Sequence, residues 1–189
     1  MIEPEQSSEQ QSEGRVATVD ELRRHVLEIE FCMLTTHDGR GDISSRPLQT
    51  MDMQDDATLW FFTSRDSAKV HEIGRDARVC VSYADAARRF FVQLSGEASI
   101  IDDRERAAAL WQPAQRIFFP QGPLDPALVL IRFVTRTATV WDGNESLVGK
   151  MRKFGDALLH HQASNLGTVN EIDLRDRDAA GSCGGKQAQ

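Results

Sequence analysis

The chain has 189 residues, and its 22 Lys and Arg against 29 Asp and Glu give a formal net charge of −7. That length suits one domain with some spare chain and can bury one real core. No apolar run approaches the ~20 residues that span a bilayer, and an acidic chain without a Lys/Arg cluster is poorly suited to nucleic acid.

Residues 1–14 hold four glutamates, no Lys or Arg, and many Gln and Ser. Such a leader cannot bury enough apolar surface to fold, so it reads as a disordered acidic tail. It is not a secretory signal peptide either. The folded domain is expected over 15–174. Residues 175–189 (RDRDAAGSCGGKQAQ) carry nothing apolar larger than Ala and Cys and read as a second disordered tail.

Thr18 and Glu21 have the spacing of a capping box. Val19, Leu22, Val26 and Ile29 then form one apolar helical stripe. FCMLTT (31–36) is a short buried strand, HDGRG (37–41) a turn, and DISSRPLQTM (42–51) the returning strand of a hairpin. QDDA (54–57) turns into a third strand, TLWFFT (58–63), followed by a short helix at 67–75. Strands follow at 78–83 and 88–101, the second with Gly96 at a bulge. Residues 102–111 read as a helix and FFPQGPLDP (118–126) as a loop. Residues 127–133 and 137–141 are two strands or one bent strand. A helix closes the domain at 146–161, with Leu147, Met151, Phe154 and Leu158 on one face.

Short turns between successive strands favour antiparallel pairing over parallel crossovers. The expected fold is mainly β (α+β): six antiparallel strands, closed into a small barrel so that no sheet edge is left.

Three Phe doublets (61–62, 90–91 and 118–119) refine this. Adjacent strand residues point to opposite faces, so a Phe pair in a strand needs both faces covered. One face can be the barrel interior. The other needs a helix, a ligand or a second subunit, and two doublets in strands point to a homodimer.

Much of the usual chemistry is missing. There is no dinucleotide fingerprint, P-loop, HExxH or GxSxG motif. The three cysteines (32, 80 and 183) form no CxxC, which argues against a disulfide framework or a zinc site and suits a cytoplasmic protein with reduced thiols. His160 and His161 fit a solvated helix end. Asp55–Asp56 and Asp102–Asp103 fit turns and helix caps.

Two segments are less ordinary. In ISSRPLQT (43–50), Arg46 lies inside an otherwise uncharged strand beside two serines. Pro47 cannot donate to a ladder, so this stretch is an edge or irregular. An arginine, hydroxyls and free backbone groups suit an anion or a polar ring. In FFTSRDSAK (61–69), Ser64, Arg65, Ser67 and Lys69 follow a strand end across a helix start. Hydroxyls, cations and unpaired helix amides converge there, the usual way of holding a phosphate. A helix cap with surface cations would also explain the second segment.

Strand, SRPL, a second strand ending FTS, then a helix with Lys69 resembles the pyridoxamine-phosphate-oxidase-like flavin-binding split barrels, and most of all their general-stress-protein branch. VQLSGEASI (92–100), the 118–133 stretch and TATVW ending at Trp141 agree with it in order and spacing. The resemblance implies a homodimer with FMN, or FAD, at intersubunit sites. It places flavin contacts on Ser45, Arg46, Pro47 and Leu48, on Phe62, Thr63 and Ser64, and on Ser67 and Lys69. Gln93 and Trp141 would reach the flavin from the partner subunit.

The chain departs from the vitamin-oxidising members in two places. Ala68 stands where those have a second cation, and the C-terminal segment that grips pyridoxal phosphate is missing. Vitamin B6 oxidation is therefore not expected. Two functions lead, with another split-barrel ligand such as haem or a deazaflavin, or an empty barrel serving as an interaction module, as further alternatives. One is an FMN-dependent oxidoreductase moving a hydride or electrons through the flavin, with NAD(P)H as a reductant. The other is a non-catalytic flavin-binding or storage protein of the stress response.

Overall fold

The computed structural model describes residues 18–38, 40–143 and 168–173, with Asp142 and 168–173 described by backbone alone. The two expected tails, the helix expected at 146–161 and His160–His161 lie outside the described residues.

Helix α1 (Val19–Ile29) begins with the expected capping box: Glu21 N–H donates to Thr18 Oγ1 at 3.2 Å, and Thr18 N–H donates to Glu21 Oε2 at 3.3 Å. Its stripe buries Leu22 and Val26 completely and Val19 and Ile29 in part. It is followed by β1 (Phe31–His37), β2 (Ile43–Met53) and β3 (Thr58–Ser64). Helix α2 (Ala68–Arg75) precedes β4 (Arg78–Asp85) and β5 (Phe90–Ile101). Helix α3 (Arg104–Ala109) and two 3-10 turns (Pro113–Ile117 and Gly122–Leu124) lead to β6 (Leu128–Asp142), and β7 (Thr168–Asp173) comes last. Among the described residues no helix is long and apolar enough to cross a membrane.

Every strand pairing is antiparallel. The order β3-β2-β1-β4-β5-β6 closes through a β3–β6 ladder from Thr58↔Val134 to Ser64↔Leu128. This is the closed six-stranded barrel of the sequence reading. The 127–133 and 137–141 segments are one 15-residue strand. Its first half pairs with β3, and its second half carries β7 on the outside of the barrel. β7 is a seventh strand that the sequence reading did not include. The helix read at 102–111 is shorter than expected, because Asp103 is its N-cap and accepts the Arg106 N–H at 2.9 Å.

Alternation builds the interior. Cys32, Leu34 and Thr36 of β1 are buried while Phe31 and Met33 are exposed. Val79, Val81 and Tyr83 of β4 and Phe90, Val92 and Leu94 of β5 face the same core. Two bulges reset the phase. On β6, Arg136 is the extra residue opposite Ser95 and Gly96, so the buried positions switch from 131, 133 and 135 to 138 and 140. Gly96 is required there, since a Cβ would lie 2.0 Å from the Val134 carbonyl oxygen. On β2, Met51 is the extra residue between Thr50↔Phe61 and Asp52↔Trp60. Residues 43–49 of β2 pair only with β1, so Pro47 sits on an open edge, as its missing N–H demands.

The Phe doublets resolve differently. Phe61 fills the barrel core, and Phe62 lies in a second cluster outside it with Trp60, Ala107, Phe119 and Leu128. There a helix covers the outer face. Phe90 is buried and stacks on His25 at 4.1 Å, but Phe91 stays exposed on the outer sheet face. Phe118 is exposed and Phe119 buried.

Candidate functional site

The barrel turns Arg46 inward. Arg46 opposes Leu34 on β1 and shares a strand face with Leu48, so its long side chain runs along the inner surface toward the end of the barrel near α2. There its Nη2 donates to Glu72 Oε2 at 2.7 Å and its Nη1 donates to the Thr36 hydroxyl. Thr36 in turn donates to the same Glu72 oxygen. Only 21% of the Arg46 side chain and 13% of the Glu72 side chain are exposed, so the pair is well shielded from water.

Lys69 enters the same cluster from the first turn of α2. Its Nζ donates to Thr63 Oγ1 at 3.0 Å, and Thr63 Oγ1 lies 3.2 Å from Ser67 Oγ. Ser67 is the N-cap of α2 yet makes no side-chain cap hydrogen bond. Its hydroxyl is turned to Thr63 instead, while the Val70 N–H donates to the Ser67 carbonyl at 3.0 Å, so the amides left for a ligand at this helix start are those of Ala68 and Lys69.

Burial pushes the Lys69 ammonium below its ordinary range, Arg46's positive charge pushes it further, and Glu72 partly opposes both. The Thr36 hydroxyl and Arg46 hold the Glu72 carboxyl below the usual carboxylate range despite its partial burial. Two cations thus share a half-buried space with one carboxylate. A negative ligand would relieve the Arg46–Lys69 repulsion.

Of the residues picked out from the sequence, Arg46, Thr63, Ser67 and Lys69 converge. Ser64 adjoins them, its carbonyl accepting the Ser67 N–H at 3.1 Å. Leu48 is half-buried against the core. Ser45 and Pro47 are on the opposite face of β2, where Ser45 Oγ lies 2.9 Å from Thr35 Oγ1. The ring of Phe62 does not join the cluster. It packs near Trp111 and Phe119, with centroids at 6.0 and 6.5 Å, because consecutive strand residues alternate sides and Thr63 has the inner one. Gln93 and Trp141 sit on the outer sheet face, opposite Thr139 and Phe91 respectively, and are not brought to the cluster within one chain.

Two members of the cluster escaped the sequence reading. Glu72 lies three residues after Lys69 on one helix face, a spacing that could have revealed it. Thr36 shows no sequence signal, since only the β1–β2 register places it beside Arg46. Thr36 also lines an open groove of about 680 Å³ with Thr35, His37, Ile43, Cys80 and Arg136. Among the described residues no group of three or more His, Cys, Asp and Glu could hold a metal ion.

Known proteins share this architecture. The family described as Pyridoxamine 5'-phosphate oxidase like matches residues 17–165. The protein bli-3 of Neurospora crassa is 23% identical over 164 residues, covering 82% of this chain and 78% of that protein. The general stress FMN/FAD binding protein of Xanthomonas citri is 28% identical with a TM-score of 0.57, covering 68% of this chain and 93% of that one. A Clostridium acetobutylicum protein related to general stress protein 26 has a TM-score of 0.60 at 18% identity, covering 67% of this chain and 89% of that one. With its profile matched across most of the length and its barrel shared with general stress proteins, the chain belongs to the pyridoxamine 5'-phosphate oxidase-like family.

Proposed function

We propose that this protein binds FMN, with FAD as the larger alternative, and holds the phosphate at the Arg46–Lys69 cluster. The observation that carries the reading is the convergence of those two cations beside a helix start whose N-cap serine turns its hydroxyl to Thr63 rather than to a helix amide. The donor set suits a phosphate: guanidinium, ammonium, two hydroxyls and helix amides all donate to oxygen. Family membership and the flavin-binding Xanthomonas citri relative support it. Once bound, the flavin would supply redox chemistry, while the protein binds and orients it.

The reading includes a homodimer. Phe31, Met33, Ile43 and Phe91 are exposed on the outer faces of β1, β2 and β5, and Gln93 and Trp141 lie on that same side. Two copies meeting there would bury this apolar surface and let Gln93 and Trp141 reach the partner's flavin. Cytoplasmic placement with reduced thiols belongs to the same reading, and cell fractionation tests it.

The stress-related role takes one of two forms. An FMN-dependent oxidoreductase would turn over with NADH or NADPH, whereas a flavin carrier would bind stoichiometrically without turnover. One observation favours the carrier: the carboxylate in the cluster, Glu72, is already engaged by Arg46 and Thr36. The visible spectrum of protein purified with added FMN, followed by nicotinamide turnover assays, tests both parts. A retained flavin band supports the site, and a colourless protein after FMN addition overturns it.

A further inference from the structure

Glu72 is the charged group of the cluster that the proposed binding does not use. It follows Lys69 by three residues, and its Oε2 accepts both Arg46 Nη2 and the Thr36 hydroxyl. Those two partners keep it ionised. Beside an incoming phosphate it acts in two ways. It competes for the Arg46 N–H groups, and it repels negative charge in a shielded space where Coulomb terms exceed those in water. Removing its charge does not release Arg46, because Thr36 separately accepts from Nη1.

We infer that Glu72 is a specificity-determining residue that holds ligand affinity down in proportion to the negative charge brought to Arg46 and Lys69. A phosphate monoester, which carries two charges, is penalised most. A diester, with one charge per phosphate, is penalised less, and an uncharged ribityl chain not at all. The inference rests on the flavin reading and deepens it, because it makes Glu72 the residue that moves the balance between FMN, FAD and riboflavin.

The test is a fluorescence titration of the full chain and its Glu72→Gln variant with those three flavins. It is run at low salt and mildly alkaline pH, where the monoester is a dianion. Glu72→Gln is expected to bind FMN roughly tenfold and FAD roughly threefold more tightly, with riboflavin unchanged. The FMN factor should exceed the FAD factor, because FAD spreads its two charges over two linked phosphates while FMN brings both to one. Glu72→Ala must give the same order, and Glu72→Asp, which retains the charge, must not. Thermal melts confirm that each variant is folded, and Glu72→Ala carries the test if Glu72→Gln is not. Equal factors for all three flavins, or weaker FMN binding by Glu72→Gln, overturn the role of Glu72 alone. Binding of no flavin by the wild-type chain overturns the flavin reading itself, and the role of Glu72 with it.

Discussion

Arg46 of β2 and Glu72 of α2 form a 2.7 Å ion pair that ties the inner face of a barrel strand to the helix following the next strand. The guanidinium is therefore held at the barrel end, beside Lys69, before any ligand arrives. Arg46→Ala and Lys69→Ala should each weaken FMN binding by about 1.5–3 kcal/mol, the range for a hydrogen bond to a charged group. Arg46→Ala should be the worse of the two, since it leaves Glu72 uncompensated beside the phosphate. Adding Glu72→Gln to Arg46→Ala should restore part of the loss, and a double-mutant cycle by fluorescence titration measures that coupling.

Lys69 gives the site a pH dependence with two opposite signs. Burial and Arg46 lower its pKa from the ordinary 10.5. A bound phosphate favours the ammonium, so FMN affinity should fall as pH rises through that lowered value, starting below 10.5. The flavin-free protein should do the reverse. Between the lowered and the ordinary value the unfolded chain holds more protons, so Lys69's contribution to stability rises with pH. Titrations and melts of wild type and Lys69→Arg check both, since arginine keeps its charge and should remove the affinity loss in that window.

Phe91 and Met33 on the outer sheet face should be buried between two copies. Light scattering should give about twice the 21.1 kDa chain mass. Met33→Asp and Phe91→Asp should shift the protein toward a single chain and weaken flavin binding together, because Gln93 and Trp141 would then be lost from the partner's site. A monomeric wild type that binds flavin normally would refute this arrangement.

Thiol reactivity should divide by position. Burial pushes the Cys32 thiol up to about 12, and its Sγ donates to the Leu48 carbonyl oxygen at 3.3 Å. Cys80 is only half-buried and lines the open groove. Peptide mapping after alkylation of the native protein should find Cys80 modified and Cys32 protected until denaturant is added.

The two halves of a buried-and-exposed comparison should differ sharply. Phe61 is fully enclosed in the barrel, so Phe61→Ala should cost about 3–5 kcal/mol. Phe118 is 72% exposed, so in the isolated chain Phe118→Ala should stay within about 0.5 kcal/mol of wild type. Denaturant unfolding measures both.

Much of this fold could be read from local pattern. The Thr18–Glu21 cap, the hairpin turn, the Gly96 bulge and the open edge at Pro47 each follow from one or two residues whose chemistry allows little else. The barrel's strand count followed from the succession of short turns. β7 was missed, and its pairing with β6 spans a long stretch of sequence. At the site, Arg46, Ser67 and Lys69 stood out because cations and hydroxyls gathered at a strand interior and a helix start. Strand parity then decided what composition could not. Phe62 and Thr63 are neighbours in sequence but point to opposite faces, so the aromatic ring joined the outer cluster while the hydroxyl joined the site. Thr36 became visible only through the β1–β2 register.

The most direct test is the titration of FMN with the purified wild-type chain, followed by the quenching of flavin fluorescence. Saturation at one flavin per chain, with affinity lost on replacing Arg46 and Lys69 together by alanine, is the predicted result. Unquenched fluorescence at every protein concentration, or a double variant that binds FMN as wild type does, would contradict it.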